Sequence, residues 1–113
     1  MEQLFAKLCE YLKMDTEISF EEFSEYYQQV IKELNANFSN MNRDERLKAR
    51  YICSIVQANA ESRAKRSKQH AKPYKKMAAK CAFWADAINY HLLKDGMSQA
   101  EIDEKTQQIN DSI

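Results

Sequence analysis

Three cysteines, two histidines and a ladder of glutamates are the residues of this chain that could carry catalysis or hold a metal. Cys9, Cys53 and Cys81 are odd in number and widely spaced, so they predict neither a disulfide framework nor a CxxC zinc or redox site. The glutamates over residues 17–25 recur at helical spacing but lack the Glu-x-x-His motif of di-iron bundles. The sequence therefore predicts no metal site, no cofactor and no enzyme activity.

Contact with phosphate is suggested by the stretch ESRAKRSKQHAKPYKKMAAK, residues 61–80. It holds eight Lys or Arg and one acid, although the whole chain has 17 basic and 17 acidic residues. The net charge is −5 over residues 1–42, +9 over 43–80 and −4 over 81–113. Clustered Lys and Arg on a helix are the usual signature of binding to a nucleic-acid backbone. Lysine outnumbers arginine six to two in the stretch, which favours diffuse phosphate contact over bidentate readout of bases.

We therefore expect a small, non-enzymatic regulatory or accessory protein that engages nucleic acid, or a nucleoprotein, with weak sequence preference. The expected contacts are the basic side chains of the stretch, with support from three arginines that share one face of the helix before it. These candidate nucleic-acid contacts are Arg63, Lys65, Arg66, Lys68, Lys72, Lys75, Lys76, Lys80, Arg43, Arg46 and Arg50.

The charge distribution is also compatible with two different roles for the basic segment. In the first, the acidic helices at either end of the chain neutralise the basic segment, within the bundle or between copies of it. In the second, the segment docks onto an acidic protein surface, where charge speeds encounter more than it adds affinity. The chain would then be a protein-interaction module or inhibitor, and a homo-oligomer is one form that it could take.

Phe83 and Tyr90 are candidates for a protein interface. They lie one heptad apart, on the side of the fourth predicted helix away from Trp84 and Ile88. If that helix is the central one, both rings belong to the core. If it is not, they form an exposed aromatic patch rimmed by lysine, which suits a partner helix or bases stacked on the rings.

The fold that must position these residues is predicted from composition. One Gly and one Pro in 113 residues leave few positions for tight turns, so nearly all of the chain should be helical. We expect an all-α protein: a compact bundle of four to five helices in a single domain over 1–113, with the second helix antiparallel to the third and the fourth near the centre. The start lacks the pattern of a signal peptide and no stretch is apolar enough to span a membrane, so we expect a cytoplasmic protein without a membrane partner.

Helix boundaries are indicated by capping patterns and by the chain's two helix-breaking residues. Ser19, Asn42 and Ser98 are each followed three residues later by Glu, which predicts a helix beginning at each. Gly96 suits the left-handed end of the fourth helix. Pro73 disfavours helix at the residue before it, so we expect a break between about residues 70 and 73, with Pro73 at the first helical position.

Overall fold

Helices are the only regular secondary structure of the chain in the computed structural model, which describes residues 1–113. The helices are α1 (Glu2–Leu12), α2 (Phe20–Asn37), α3 (Arg43–Arg66), α4 (Ala71–Lys94) and α5 (Gln99–Asp111), with a 3-10 turn over Phe38–Asn40. The predicted all-α bundle is confirmed. None of the helices combines the length and the apolar character that crossing a bilayer requires.

The predicted caps form at the starts of α2, α3 and α5. The Ser19 hydroxyl accepts a hydrogen bond from the backbone amide three residues on, at 3.1 Å. Asn42 and Glu45 form a full capping box before α3, and Ser98 and Glu101 form another before α5. Each box satisfies two backbone amides that have no acceptor inside the helix.

A helix boundary lies near Pro73, as predicted, but the break falls at residues 67–70, just before the predicted 70–73. Helix α3 ends at Arg66 and α4 begins at Ala71, so the two helices are joined by four residues. Pro73 is the third residue of α4 rather than the first, a position where the missing N–H costs no hydrogen bond within the helix. At the other end of α4, Gly96 takes the expected left-handed conformation, with φ of 102°.

The central element is α3, and the prediction that the fourth helix lies near the centre is wrong. Helix α3 packs against α4 along its length and also contacts α1 and α5. Tyr51, Ile52 and Cys53 are consecutive in α3 and all buried. Successive helical residues point about 100° apart, so neighbours cover more than half of the circumference of α3. Helix α4 has one face against α3 and leaves another in solvent.

Helix α2 runs antiparallel to α3, as predicted. The guanidinium of Arg63, near the end of α3, lies 4.6 Å from the ring centroid of Phe23, near the start of α2. At the opposite end, Arg46 lies 4.5 Å from the ring centroid of Phe38. One hydrophobic cluster takes in residues from all five helices, so the helices share a single core.

Candidate nucleic-acid interface

The basic stretch lies at the tip of the α3–α4 hairpin. Residues 61–66 are the last turns of α3, residues 67–70 make the connection and residues 71–80 begin α4. Because the connection is short and the two helices pack together, the ends of both helices bring their basic residues to the same end of the molecule. The hairpin therefore gathers the positive charge of the stretch in one place.

All six lysines of the stretch are free in the structure. Each is exposed and none lies within ion-pair distance of a carboxylate. Unpaired ammonium groups on a surface repel each other and attract anions, and their effect falls with ionic strength. These residues, called the lysine cluster below, are Lys65, Lys68, Lys72, Lys75, Lys76 and Lys80.

Arg63 does not belong with the lysine cluster, contrary to the prediction. Only 8% of its surface is exposed. Its Nη1 donates to the carbonyl of Ile18 at 3.0 Å and to the hydroxyl of Tyr74 at 3.2 Å. Arg63 thus ties the end of α3 to the connection between α1 and α2 and to α4, and it offers no charge to a phosphate at the surface.

Arg66 is exposed but engaged by an acidic residue of the same chain. Its two terminal nitrogens donate to the two carboxylate oxygens of Glu17, at 2.9 and 3.1 Å. This bidentate hydrogen bond holds the pKa of Glu17 below its ordinary value. It is the one ion pair that joins the basic stretch to an acidic residue elsewhere. Most of the positive charge of the stretch therefore has no carboxylate partner within the chain.

The three arginines at the start of α3 are far from the lysine cluster. Arg43 and Arg66 are separated by 23 residues of one helix, which corresponds to about 35 Å. Arg43 donates to the carbonyl of Asp95 and Arg46 forms an ion pair with its carboxylate, at 3.0 and 3.1 Å. Arg50 donates to side chains of α4 and α5. These residues hold the far end of the bundle together, so their predicted support of the basic stretch is not seen.

Phe83 and Tyr90 are exposed, which decides between a core position and a surface position for these rings. They keep 61% and 58% of their surface in solvent. The ammonium of Lys80 lies 5.6 Å from the Phe83 ring centroid, and that of Lys94 lies 5.7 Å from the Tyr90 ring centroid. The structure therefore shows an aromatic patch with a lysine rim, and neither ring is part of the core.

The aromatic patch and half of the lysine cluster share one face of α4. At 100° per residue, the positions of these side chains fall within about a quarter of the helical circumference. The one acidic residue of α4, Asp86, is exposed and lies at the edge of this face. The face, called the α4 stripe below, runs for about 33 Å along the helix and comprises Lys72, Lys76, Lys80, Phe83, Ala87, Tyr90 and Lys94.

The thiols and imidazoles that could take part in chemistry lie in the core or against aromatic rings. Burial raises the pKa of the Cys81 thiol to about 12 and also raises that of Cys53, so both thiols are protonated at neutral pH. His70 stacks on Phe20 with ring centroids 3.8 Å apart, and His91 packs edge-on against another ring. No group of His, Cys, Asp or Glu side chains is placed to hold a metal ion.

No protein-family model matches the chain, and no curated protein or solved structure is significantly similar to it. The function therefore has to be inferred from the surface chemistry of the chain.

Proposed function

We propose that this protein is a non-enzymatic nucleic-acid-binding protein whose α4 stripe and lysine cluster contact a single strand with little sequence preference. The observation that carries the proposal is the alignment on α4 of unpaired lysines with two exposed aromatic rings. Lysines supply attraction to the phosphate backbone, and aromatic rings supply a flat apolar surface for bases. Single-strand binding sites combine these two features.

The free lysines support binding to a polyanion rather than a purely structural role for the charge. A cation that stabilises the fold is expected to have a partner, as Arg46 and Arg66 do. None of the six lysines has a carboxylate partner, although the chain carries as many acidic residues as basic ones. Their mutual repulsion is unfavourable in the free protein and would be relieved by a bound phosphate backbone.

The exposed rings favour a single strand over a duplex. Bases in a duplex are stacked on each other, so only an unpaired strand can place base faces against Phe83 and Tyr90. The lysines at both ends of the patch, Lys80 and Lys94, are positioned beside the rings. A strand that follows the α4 stripe would therefore have phosphate contacts on either side of its stacked bases.

The proposal is tested by fluorescence anisotropy with labelled single-stranded oligonucleotides of unrelated sequence, at low salt. The test variant replaces Lys68, Lys72, Lys76 and Lys80 by Gln. It should bind each oligonucleotide at least tenfold more weakly than the wild type, while its helical content is unchanged because Gln is nearly as good a helix former as Lys.

A matched variant controls for the change in net charge. Lys7, Lys13, Lys32 and Lys105 are exposed lysines outside the basic stretch, and their replacement by Gln removes the same charge. Compared at about 0.1 M salt, where the Debye length is about 10 Å, the control should bind within about threefold of the wild type, since more distant charges are largely screened. Equal losses of oligonucleotide affinity in both variants would show that binding depends only on net charge and would contradict a localised site. Stronger binding of a duplex than of either strand would contradict the stacking role.

A second candidate function is self-association through opposite charges, favoured by the outer face of α2. Glu21, Glu22 and Glu25 are exposed there and make no ion pair. The lysine cluster of one copy could pair with this face of another, which would give an open, head-to-tail assembly. The mass in solution would then rise at low salt, and changing these three glutamates to Gln would abolish the rise. A monomer at both low and high salt would exclude this candidate.

A further inference from the structure

The C-terminal half of α4 concentrates the large exposed hydrophobic residues of the molecule. Of the five such residues in the chain, Phe83, Tyr90 and Leu93 lie there. At 100° per residue, their side chains fall within about 80° of rotation about the helix axis, so they form one patch. A contiguous exposed apolar patch is typical of an interaction site.

Leu93 is not explained by contact with the bases of a nucleic acid. An aliphatic side chain has no π face on which a base could stack, whereas Phe83 and Tyr90 have one. Leu93 keeps 41% of its surface in solvent and lies beside the two rings. A helix packed against α4 can cover all three side chains together, because side chains in such a row interdigitate with those of a facing helix.

The charges beside the patch differ in sign at its two ends. The free lysines of the lysine cluster lie toward the N-terminal end of α4. Beside the C-terminal half, Asp103 accepts a hydrogen bond from Gln99, which in turn contacts Asn89 of α4. Asp103 and the neighbouring Glu104 are exposed and form no ion pair, and residues 81–113 have a net charge of −4. One end of this face is therefore basic and the other is acidic.

A second copy of the chain is complementary to this face when the two α4 helices run antiparallel. A twofold axis midway between Phe83 and Tyr90 places each ring against the other ring of the second copy. The lysines of one copy then lie opposite the end of α4 and the start of α5 of the other, so the basic end meets the acidic end twice. In a parallel pair the two lysine clusters would face each other, and like charges in contact are unfavourable.

We propose that this protein forms a weak, closed, antiparallel dimer through the C-terminal half of α4. One helix contacts one helix, which places the interface at the small end of the specific range, so the dimer forms only at high protein concentration. The dimer covers Phe83, Tyr90 and the lysines beside them. It therefore competes with a single strand for the α4 stripe, and this regulatory consequence, unlike the dimer itself, rests on the proposed function.

The dimer is tested by sedimentation equilibrium of the full chain without nucleic acid, from about 1 μM to about 1 mM, the range of weak affinities. The mass should rise from 13.3 kDa towards twice this value and no further, since a twofold interface is closed. A mass that stays at 13.3 kDa over the whole range would overturn the proposal. So would growth beyond two copies that persists when Phe83 and Tyr90 are both changed to Ser, which would favour the open assembly through α2.

Leu93→Ser separates the dimer from strand binding. The change should cost little stability at this exposed position. Because each copy contributes one Leu93 to a twofold interface, the dissociation constant of the dimer should rise at least about tenfold. The single-strand affinity, measured at nanomolar protein where no dimer forms, should stay within about threefold of the wild type.

The outcomes of this test distinguish the two proposals. A wild type that dimerises but binds no strand would refute the proposed function alone. An unchanged dimer in the Leu93→Ser variant would refute the proposed interface. The matched control is Leu12→Ser, at another large exposed residue outside α4, which should dimerise as the wild type does.

Cross-linking tests the orientation of the two copies. In a Cys9→Ser background the remaining thiols, Cys53 and Cys81, are buried, and one new thiol is introduced by Ala87→Cys or by Lys72→Cys. Ala87 lies near the twofold axis, so a short thiol–thiol linker should join the two copies of the first variant. The two copies of position 72 lie more than about 40 Å apart along the helix axis, so the second variant should not be joined. Equal cross-linking of both variants would indicate a parallel pair and would overturn the antiparallel dimer.

Discussion

Replacement of both Phe83 and Tyr90 by Ser should separate the stability of the fold from its binding activity. A buried Phe changed to a small residue costs about 3–5 kcal/mol, so two core aromatics would cost about 6–10 kcal/mol, which is comparable with the whole stability of many domains. These rings are 61% and 58% exposed, and substitutions at exposed positions usually change stability by less than about 0.5 kcal/mol each. The double variant should therefore lose no more than about 1 kcal/mol.

The same double change should have a large effect on single-strand binding. Each base stacked on an aromatic side chain contributes about 1–3 kcal/mol as measured by truncation. Loss of two stacking rings thus removes at least about 2 kcal/mol, a decrease in affinity of about 30-fold or more. Since the lysines remain, the residual binding should keep a strong salt dependence.

The assay pairs thermal unfolding by circular dichroism with anisotropy titrations on the same samples. A stability change of about 1 kcal/mol corresponds to a shift in Tm of about 4–8 °C for a domain of this size. Leu12 and Met14 are large exposed residues away from α4, and their replacement by Ser is the control that should leave binding unchanged. A collapse of Tm in the Phe83 and Tyr90 variant would mean that the rings support the core. Unchanged Tm with unchanged affinity would remove stacking from the proposed function.

The remaining predictions concern the interior of the bundle. A thiol reagent at pH 8 should modify Cys9 in the native protein and reach Cys53 and Cys81 only after unfolding, because the two buried thiols stay protonated; rapid labelling of all three would contradict this. Stability should be constant up to about pH 8 and fall above it, since the unfolded thiols, with an ordinary pKa of about 8.5, then lose protons that the folded ones retain; the loss at pH 10 is about 2 kcal/mol per buried thiol, and a urea midpoint that does not move between pH 8 and pH 10 would refute the assignment. Arg50→Met should lower the free energy of unfolding by about 1.5–3 kcal/mol, because it removes the hydrogen bonds of Arg50 to Asn89 and to α5. Amide exchange in α5 should become faster. A decrease in the free energy of unfolding below about 0.5 kcal/mol would mean that these bonds are not formed in solution.

Local features of the sequence were sufficient to predict the helices. Asn42 and Ser98 begin helices because each cap is a short-range interaction with a Glu three residues away. Pro73 indicates a helix start nearby because it lacks the N–H that an interior position needs, although the residue before it is itself helical and the break lies at residues 67–70. Such signals depend on a few neighbouring positions, and the tertiary structure does not override them here.

The partners of the arginines were not predictable, because they come from distant parts of the chain. Arg46 is paired with Asp95 and Arg63 with the carbonyl of Ile18, and no local pattern relates these positions. One signal for Arg63 was present, however. It falls on the same side of α3 as Ile52, Val56 and Ala60, all of them buried, so helical periodicity alone placed it in line with the core.

The position of α4 in the bundle could not be read from its composition. Its apolar character on two sides is compatible with a central helix or with an edge helix that carries an exposed patch. The choice depends on which helix the others pack against, and here α3 takes the central place because it contacts α1, α4 and α5. The exposure of Phe83 and Tyr90 follows from that arrangement.

The salt dependence of single-strand affinity tests the proposed function most directly. Each phosphate neutralised on a single strand contributes about −0.7 to the slope of log affinity against log salt. If all six residues of the lysine cluster make such contacts, the slope is about −4, and the variant with Gln at Lys68, Lys72, Lys76 and Lys80 should have a slope of about −1.4. We expect this flattening together with weaker binding to every sequence tried. An equal slope in the wild type and the variant, or no binding by the wild type at low salt, would contradict it.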